Sequence, residues 1–198
     1  MKVKIICAIV GMLSAILATG IIVNAKKDEM QRELAGQVFR FHVLANSDRE
    51  EDQNLKMKVK EHVLAYMKKE IPISKSVQET KEWAQVHLSE IEEVSQRVLE
   101  QEGYDYPVRA SVMKCQFPEK SYGDITFPEG EYDALRIEIG EAKGQNWWCV
   151  LYPNLCFIDA VHAVVPEEGK RDLKRVLDED TYDMVTATTR FRIGWFFF

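Results

Sequence analysis

The stretch VFRFHVLANSDREEDQNLKMKVKEHVLAYMKKE, residues 38–70, holds a strand, a turn and a helix in direct succession. Val38, Arg40, His42 and Leu44 alternate with Phe39, Phe41, Val43 and Ala45, and the aromatic and β-branched content predicts a strand. Asn46, Ser47 and Asp48 read as a turn, after which either Ser47 with Glu50 or Asp48 with Glu51 makes a capping box. The helix that follows carries its apolar stripe on Leu55, Val59, Val63, Tyr66 and Met67 and ends near Glu70, ahead of Pro72.

Working outward towards the C-terminus, Ser76 with Glu79 opens a second helix. Its buried stripe is Ala84, Leu88, Ile91, Val94 and Val98, and Gly103 stops it. The link between the two helices is short, which predicts antiparallel packing. From Tyr106 the period changes to two: Val108, Ala110 and Val112 alternate with Arg109, Ser111 and Met113. A long Pro/Gly-rich loop, QFPEKSYGDITFPEGEY, packs its own aromatics and leads to a strand over 134–140. NWWCVLYPNLCF reads as two short strands, or as a strand and an ordered turn around Pro153 and Asn154. A helix is expected over 166–177, a link over 178–189, and a final strand in TRFRIGWFFF. The fold class is therefore α+β, with two antiparallel helices packed on a mainly antiparallel sheet.

Working outward towards the N-terminus, Lys2 and Lys4 precede an uncharged run from Ile5 to Val23. As a helix those residues rise about 28 Å, close to the hydrocarbon core of a bilayer. Val23-Asn24-Ala25 resembles a cleavage site, so 1–25 reads either as a signal peptide that is removed or as a retained membrane anchor. Residues 26–198 form one domain on the far side of the membrane. Without 1–25, which hold two lysines, 24 Lys and Arg face 32 Asp and Glu, a formal charge of −8. Such a domain is poorly suited to nucleic acid or anionic lipid, so the membrane enters only through the N-terminal segment.

Among the chemical candidates, Cys149 and Cys156 flank a Pro-containing turn and are placed to form a disulfide. Closing so short a loop adds roughly 2.5 kcal/mol on the chain-entropy account. The bland alternative is a pair of buried thiols, and Cys115 reads as core. His42, His62, His87 and His162 are dispersed without zinc spacing, so no metal or cofactor is expected. No phosphate loop, nucleophile elbow or SxxK stands out, and thiols in apolar strands have raised pKa values, against cysteine-peptidase chemistry. Trp147 and Trp148 are adjacent, so a strand would point them to opposite faces, one inward and one available to a partner. Loops held by a rigid scaffold commonly carry binding, which makes Asn46, Ser47, Asp48, Asp52, Asn146 and one of Trp147 or Trp148 the expected partner contact. The competing account is local: Asp48 caps the helix, Asp52 favours its dipole, and the tryptophans fill the core.

Two segments carry a family resemblance: RFHVLANSD with DQxLK (Arg40–Asp48, then Asp52, Gln53, Leu55 and Lys56), and NWWCVLYPNLCF (Asn146–Phe157). Together with the signal-like start, they resemble the stage II sporulation protein R family of endospore-forming bacteria. The resemblance implies an exported signal and not an enzyme, made in the forespore and acting in the space between forespore and mother-cell membranes. Its implied partner is stage II sporulation protein GA, a membrane-embedded aspartic protease that processes the sigma-E precursor. A spore-envelope structural protein and a secreted hydrolase are the competing classes.

Overall fold

The computed structural model describes residues 2–71, 76–157, 165 and 167–187. Helix α1 spans Lys2–Gln37 and strand β1 spans Phe39–Leu44. Three helices follow: α2 (Glu50–Glu70), α3 (Val77–Val86) and α4 (Leu88–Gln101). Next come β2 (Val108–Phe117), β3 (Lys120–Tyr122), β4 (Ile125–Phe127), β5 (Gly130–Ile139) and β6 (Asn146–Tyr152). A single 3-10 turn at Leu155–Phe157 precedes α5 (Glu167–Val176) and α6 (Glu179–Ala187).

The main sheet has the order β2-β5-β1-β6, and β3-β4 form a separate ribbon. β2 with β5 and β1 with β6 are antiparallel, while β1 and β5 are parallel. The fold is thus α+β with a mostly antiparallel but mixed sheet. A parallel pair needs a long crossover, and α2, α3, α4 and β2 provide it.

All six residues of β1 are buried. The alternation read from the sequence therefore separates two cores instead of separating core from solvent. On the first face Phe39, Phe41, Val43, Leu135 and Ile137 meet Leu55, Val59, Val63 and Met67 of α2, and Ile91 and Val98 of α4. The end of α4 lies beside the first half of α2, where Lys58 Nζ meets Glu102 at 2.5 Å, as antiparallel packing requires. On the second face Val38, Phe117, Phe127, Tyr132 and Val150 pack with Leu173 and Val185, and with Leu34 from α1. The last turns of α1 belong to the domain: Gln31 Nε2 donates to Glu131 O at 3.4 Å and Gln37 Nε2 to Asp178 at 2.7 Å.

Several local expectations are corrected. Neither Ser47 nor Asp48 caps α2, whose N-cap position is Arg49, because both side chains are drawn into contacts described below. The Ser76 cap does form, with Glu79 N donating to Ser76 Oγ at 3.2 Å. The single helix expected from Ser76 to Gly103 breaks at His87 (φ −102°, ψ 21°). There the His87 amide and Nδ1 both reach Trp83 O, at 3.1 and 2.8 Å, and the shared carbonyl bends the helix. The loop after Phe117 contains the β3-β4 ribbon and the early start of β5, and the link after Asp178 contains α6. The final strand expected in 189–198 lies outside the described residues. α1 carries the apolar run straight on into Lys26, Lys27, Asp28 and Glu29. No helix among the described residues is long and apolar enough to cross a membrane, so the anchor alternative for 1–25 gains no support from the structure.

Candidate functional site

β1 and β5 run parallel, so their C-terminal ends place the turn 46–49 beside the loop 140–145. Side chains of the RFHVLANSD and DQxLK segments clasp these two loops together. Asn46 Oδ1 accepts from Glu141 N at 2.9 Å, Asp48 Oδ1 accepts from Gln145 N at 2.7 Å, and Lys143 N donates to Asn46 O at 3.2 Å. Lys56, 5 % exposed, donates to Gln145 O at 2.9 Å and Gln53 Oε1 at 2.6 Å, while Gln53 Nε2 donates to Ser47 O at 2.9 Å. Burial pulls the Lys56 pKa down. Two glycines permit this closeness. A Cβ on Gly140, whose φ is +59°, would meet the Asn46 side chain, and one on Gly144 would fall 2.2 Å from Ser47 O.

Asp52 is the hub of the turn. Its buried Oδ2 accepts from Asn46 Nδ2 at 2.9 Å, Ser47 Oγ at 2.5 Å and Arg49 Nη2 at 3.3 Å. Burial works to raise its pKa, but the bonds from Ser47 and Asn46 and the charge of Arg49 outweigh it, holding the carboxyl below its ordinary value. Arg49 also donates to Tyr106 Oη at 3.0 Å, which makes one wall of an open groove of about 530 Å³ that includes Ser47, Pro107, Glu141 and Lys143. Gln53, Lys56, Arg49 and Gln145 were absent from the expected contact set. The signal for Gln53 and Lys56 was the DQxLK spacing, which puts Asp52, Gln53 and Lys56 on one side of the first turns of α2.

The other expected contact residues, Asn146, Trp147 and Trp148, stand outside the hydrogen bonds of the clasp. Trp147 and Trp148 do point to opposite faces. Trp147 meets Phe41 edge-on at 5.6 Å and lies 5.3 Å from Lys60 Nζ, on the first face. Trp148 stacks on His42 at 4.9 Å and 10°, and touches Phe117 at 4.7 Å, on the second. Asn146 shares the Trp148 face, and its Oδ1 is buried without a partner.

The second face also holds Arg40, fully buried. Its Nε donates to Cys149 O at 3.1 Å and its Nη2 to Tyr122 Oη at 3.1 Å. Phe117, Tyr132 and Phe127 set their rings 4.3, 4.9 and 5.2 Å from its guanidinium carbon. The aromatics of 117–132 therefore do not pack only on one another: they box a charged residue of the central strand. Beside it, burial first and then the charges of Arg136 and Arg40 push the His42 pKa down to about 3, so this imidazole is neutral at physiological pH.

Cys149 and Cys156 are joined, with Cα atoms 5.5 Å apart, and tie β6 to the 3-10 turn. Cys115 is a free, buried thiol whose pKa burial raises, the reverse of what a nucleophile needs. Among the described residues no group of three or more His, Cys, Asp or Glu is placed to hold a metal ion. His162 lies outside the described residues.

These features describe an α+β domain that invests its buried polar groups in bracing one end of the sheet and in an aromatic box around one arginine. The family model for stage II sporulation protein R matches residues 35–162, the part of the chain that builds both. The chain is also 31 % identical over 193 residues to stage II sporulation protein R of Bacillus subtilis (strain 168), covering 94 % of this chain and 85 % of that one. The chain belongs to the stage II sporulation protein R family, which places it in sporulation. No solved structure matches it.

Proposed function

We infer that the chain is an exported signal of endospore formation: it crosses from the forespore into the intermembrane space and there activates stage II sporulation protein GA. It acts as a ligand for that protease and performs no chemistry of its own. The observation that supports this reading most is the use made of the family segments. Asn46, Ser47, Asp48, Asp52, Gln53 and Lys56 bond to one another or to the 140–145 loop and hold that end of the sheet in one shape. A preorganised surface is what a protein ligand requires, since it binds without first ordering its loops. In this reading the receptor contact comprises the turn residues Asn46, Ser47 and Asp48, braced by Asp52, together with Asn146 and one of Trp147 or Trp148.

The test is co-expression of the full chain with the protease and the sigma-E precursor in a host that lacks both, with precursor cleavage as the readout. Asp48→Ala and Trp148→Ala chains that keep the wild-type circular dichroism should lose most cleavage. Wild-type cleavage by every folded variant would refute the surface, and no cleavage with the unaltered chain would refute the function.

A further inference from the structure

The sheet's second face is covered at one end by the aromatic box and the helices, and at the other end, among the described residues, Arg109 and Met113 stand exposed. By strand alternation and register, the open end presents Arg109, Ser111 and Met113 from β2, Arg136 and Glu138 from β5, and Asn146 and Trp148 from β6. Its charge is unusual for this chain. The protein carries a formal −6, yet the charged sheet residues of this face are Arg40, Arg109 and Arg136 against Glu138 alone. Glu138 is held by Arg136 Nη2 at 2.5 Å. Arg109 is exposed and makes no ion pair among the described residues; Arg40, buried in the aromatic box at the other end of the face, makes none either. Glu141, which lines a small pocket with Arg109 and Glu138, is already paired with Lys143 at 2.7 Å.

The polar groups at the base of this face are also left incomplete. Arg136 Nε, both ring nitrogens of His42 and Asn146 Oδ1 are buried without a hydrogen-bond partner. Such groups are normally satisfied in a native protein by protein groups, ordered water or a bound group, and their clustering makes this end the least satisfied part of the sheet. Next to them Trp148, flat against His42, and Met113, 44 % exposed, offer apolar contact. Burial is the first cause of the depressed His42 pKa, and the nearby positive charges of Arg136 and Arg40 add to it.

We propose that this open end of the second sheet face is a docking site for an acidic segment of a protein partner, with a carboxylate bridging Arg109 and Arg136 and a neighbouring apolar side chain resting on Trp148. Arg109 and Arg136 lie diagonally across the β2-β5 pair, a spacing that long side chains span. The exposed guanidinium of Arg109 supplies the donors at the surface, and half-buried Arg136 the second positive charge. A free phosphate would use the arginines but not the tryptophan, and the mixed cationic and apolar surface therefore favours a peptide. The inference rests on the reading of this chain as a protein ligand and adds the chemistry of what it binds.

The probe is a synthetic decapeptide of alternating glutamate and leucine, titrated into the full chain in detergent with the Trp148 indole and Arg136 Nε followed by nuclear magnetic resonance. Those two signals should move together. Arg109→Glu should weaken the peptide's Kd at least tenfold without disturbing signals on the first face, and added salt should weaken it further. Met113→Glu, on the same exposed strand, provides a second variant that should also weaken binding. The proposal is overturned if a lysine and leucine peptide moves the same signals equally, or if the acidic peptide binds both variants with wild-type affinity. It is equally overturned if inorganic phosphate or anionic vesicles match the peptide, or if the signals move with protein concentration alone, which would make the occupant a second copy of this chain. The titration contains no protease, so a failure of protease activation would count against the proposed function and leave this result standing.

Discussion

The two faces of the sheet are built on different principles although they share every strand. The first is an ordinary apolar sandwich: Phe39, Phe41, Val43, Leu135 and Ile137 against the stripes of α2 and α4. The second is organised around a charge, Arg40, held by three aromatic rings, Tyr122 Oη and the Cys149 carbonyl. An apolar face tolerates exchange of one hydrocarbon for another, because volume and pattern are what it specifies. A face built on a boxed guanidinium depends on geometry and does not tolerate such exchange.

Arg40 offers the sharpest test of that contrast. Arg40→Met should destabilise the protein by about 3 kcal/mol in urea titration, because Tyr122 and the Cys149 carbonyl lose their buried partner, and Arg40→Lys should not rescue it. A Met variant as stable as the wild type would mean that the second face is also a volume-filling core. On the first face, Leu135→Ala should cost about 3 kcal/mol while Leu135→Met should cost less than about 1.5 kcal/mol, a ratio absent at Arg40.

The faces should also separate by pH. His42 titrates near 3 when folded and at its ordinary 6.5 when unfolded, so the unfolded chain takes up the proton first. Its contribution is complete above pH 6.5 and falls as pH drops towards 3, by about 2 kcal/mol between pH 6.5 and 5. His42→Phe should flatten that slope in denaturant midpoints measured across the interval, and a slope that persists would assign it to another group. Between the faces, Asp52→Ala should cost about 1.5 kcal/mol and speed amide exchange at Glu141 and Gln145, the far side of the clasp.

The smallest effect belongs to Asp178, the cap of α6, whose oxygens accept from Thr181 N at 2.9 Å, Thr181 Oγ1 at 2.7 Å and Gln37 Nε2 at 2.7 Å. The bond from Gln37 first, then those from Thr181, hold its pKa at about 2. Its stabilisation is therefore present above pH 4 and fades as pH falls towards 2. Asp178→Ala should lower stability by about 0.5–1 kcal/mol, because the site is exposed. A larger loss in thermal unfolding would show that the α1–α6 junction supports the second face more than its exposure suggests.

The first face was legible in the sequence because its rules are periodic: Leu55, Val59 and Val63 recur at helical spacing and Phe39, Phe41 and Val43 alternate. The second was not. Arg40 and His42 in a strand look like the solvent side of a half-buried sheet, and only tertiary closure turns that side inward. The caps expected at Ser47 and Asp48 failed for a related reason, since their partners lie on a loop that local reading does not bring near. The placement of Trp147 and Trp148 on opposite faces followed from strand geometry, whereas the family segments pointed to residues whose roles as loop braces depend on partners about 95 residues away.

The parallel pairing of β1 with β5 has a consequence for the order of events in time. The strand nearest the N-terminus is the one in the middle of the sheet, and both of its neighbours are synthesised long after it. The clasp joins Asn46 to Glu141 and Asp48 to Gln145 across separations of 95 and 97 residues. No early fragment of the chain can close the sheet, and contacts of such long range are reached slowly. If the chain is exported from its N-terminus, as proposed above, this topology keeps the leading portion unfinished until residues beyond 145 have followed it, so that the sheet closes on the far side.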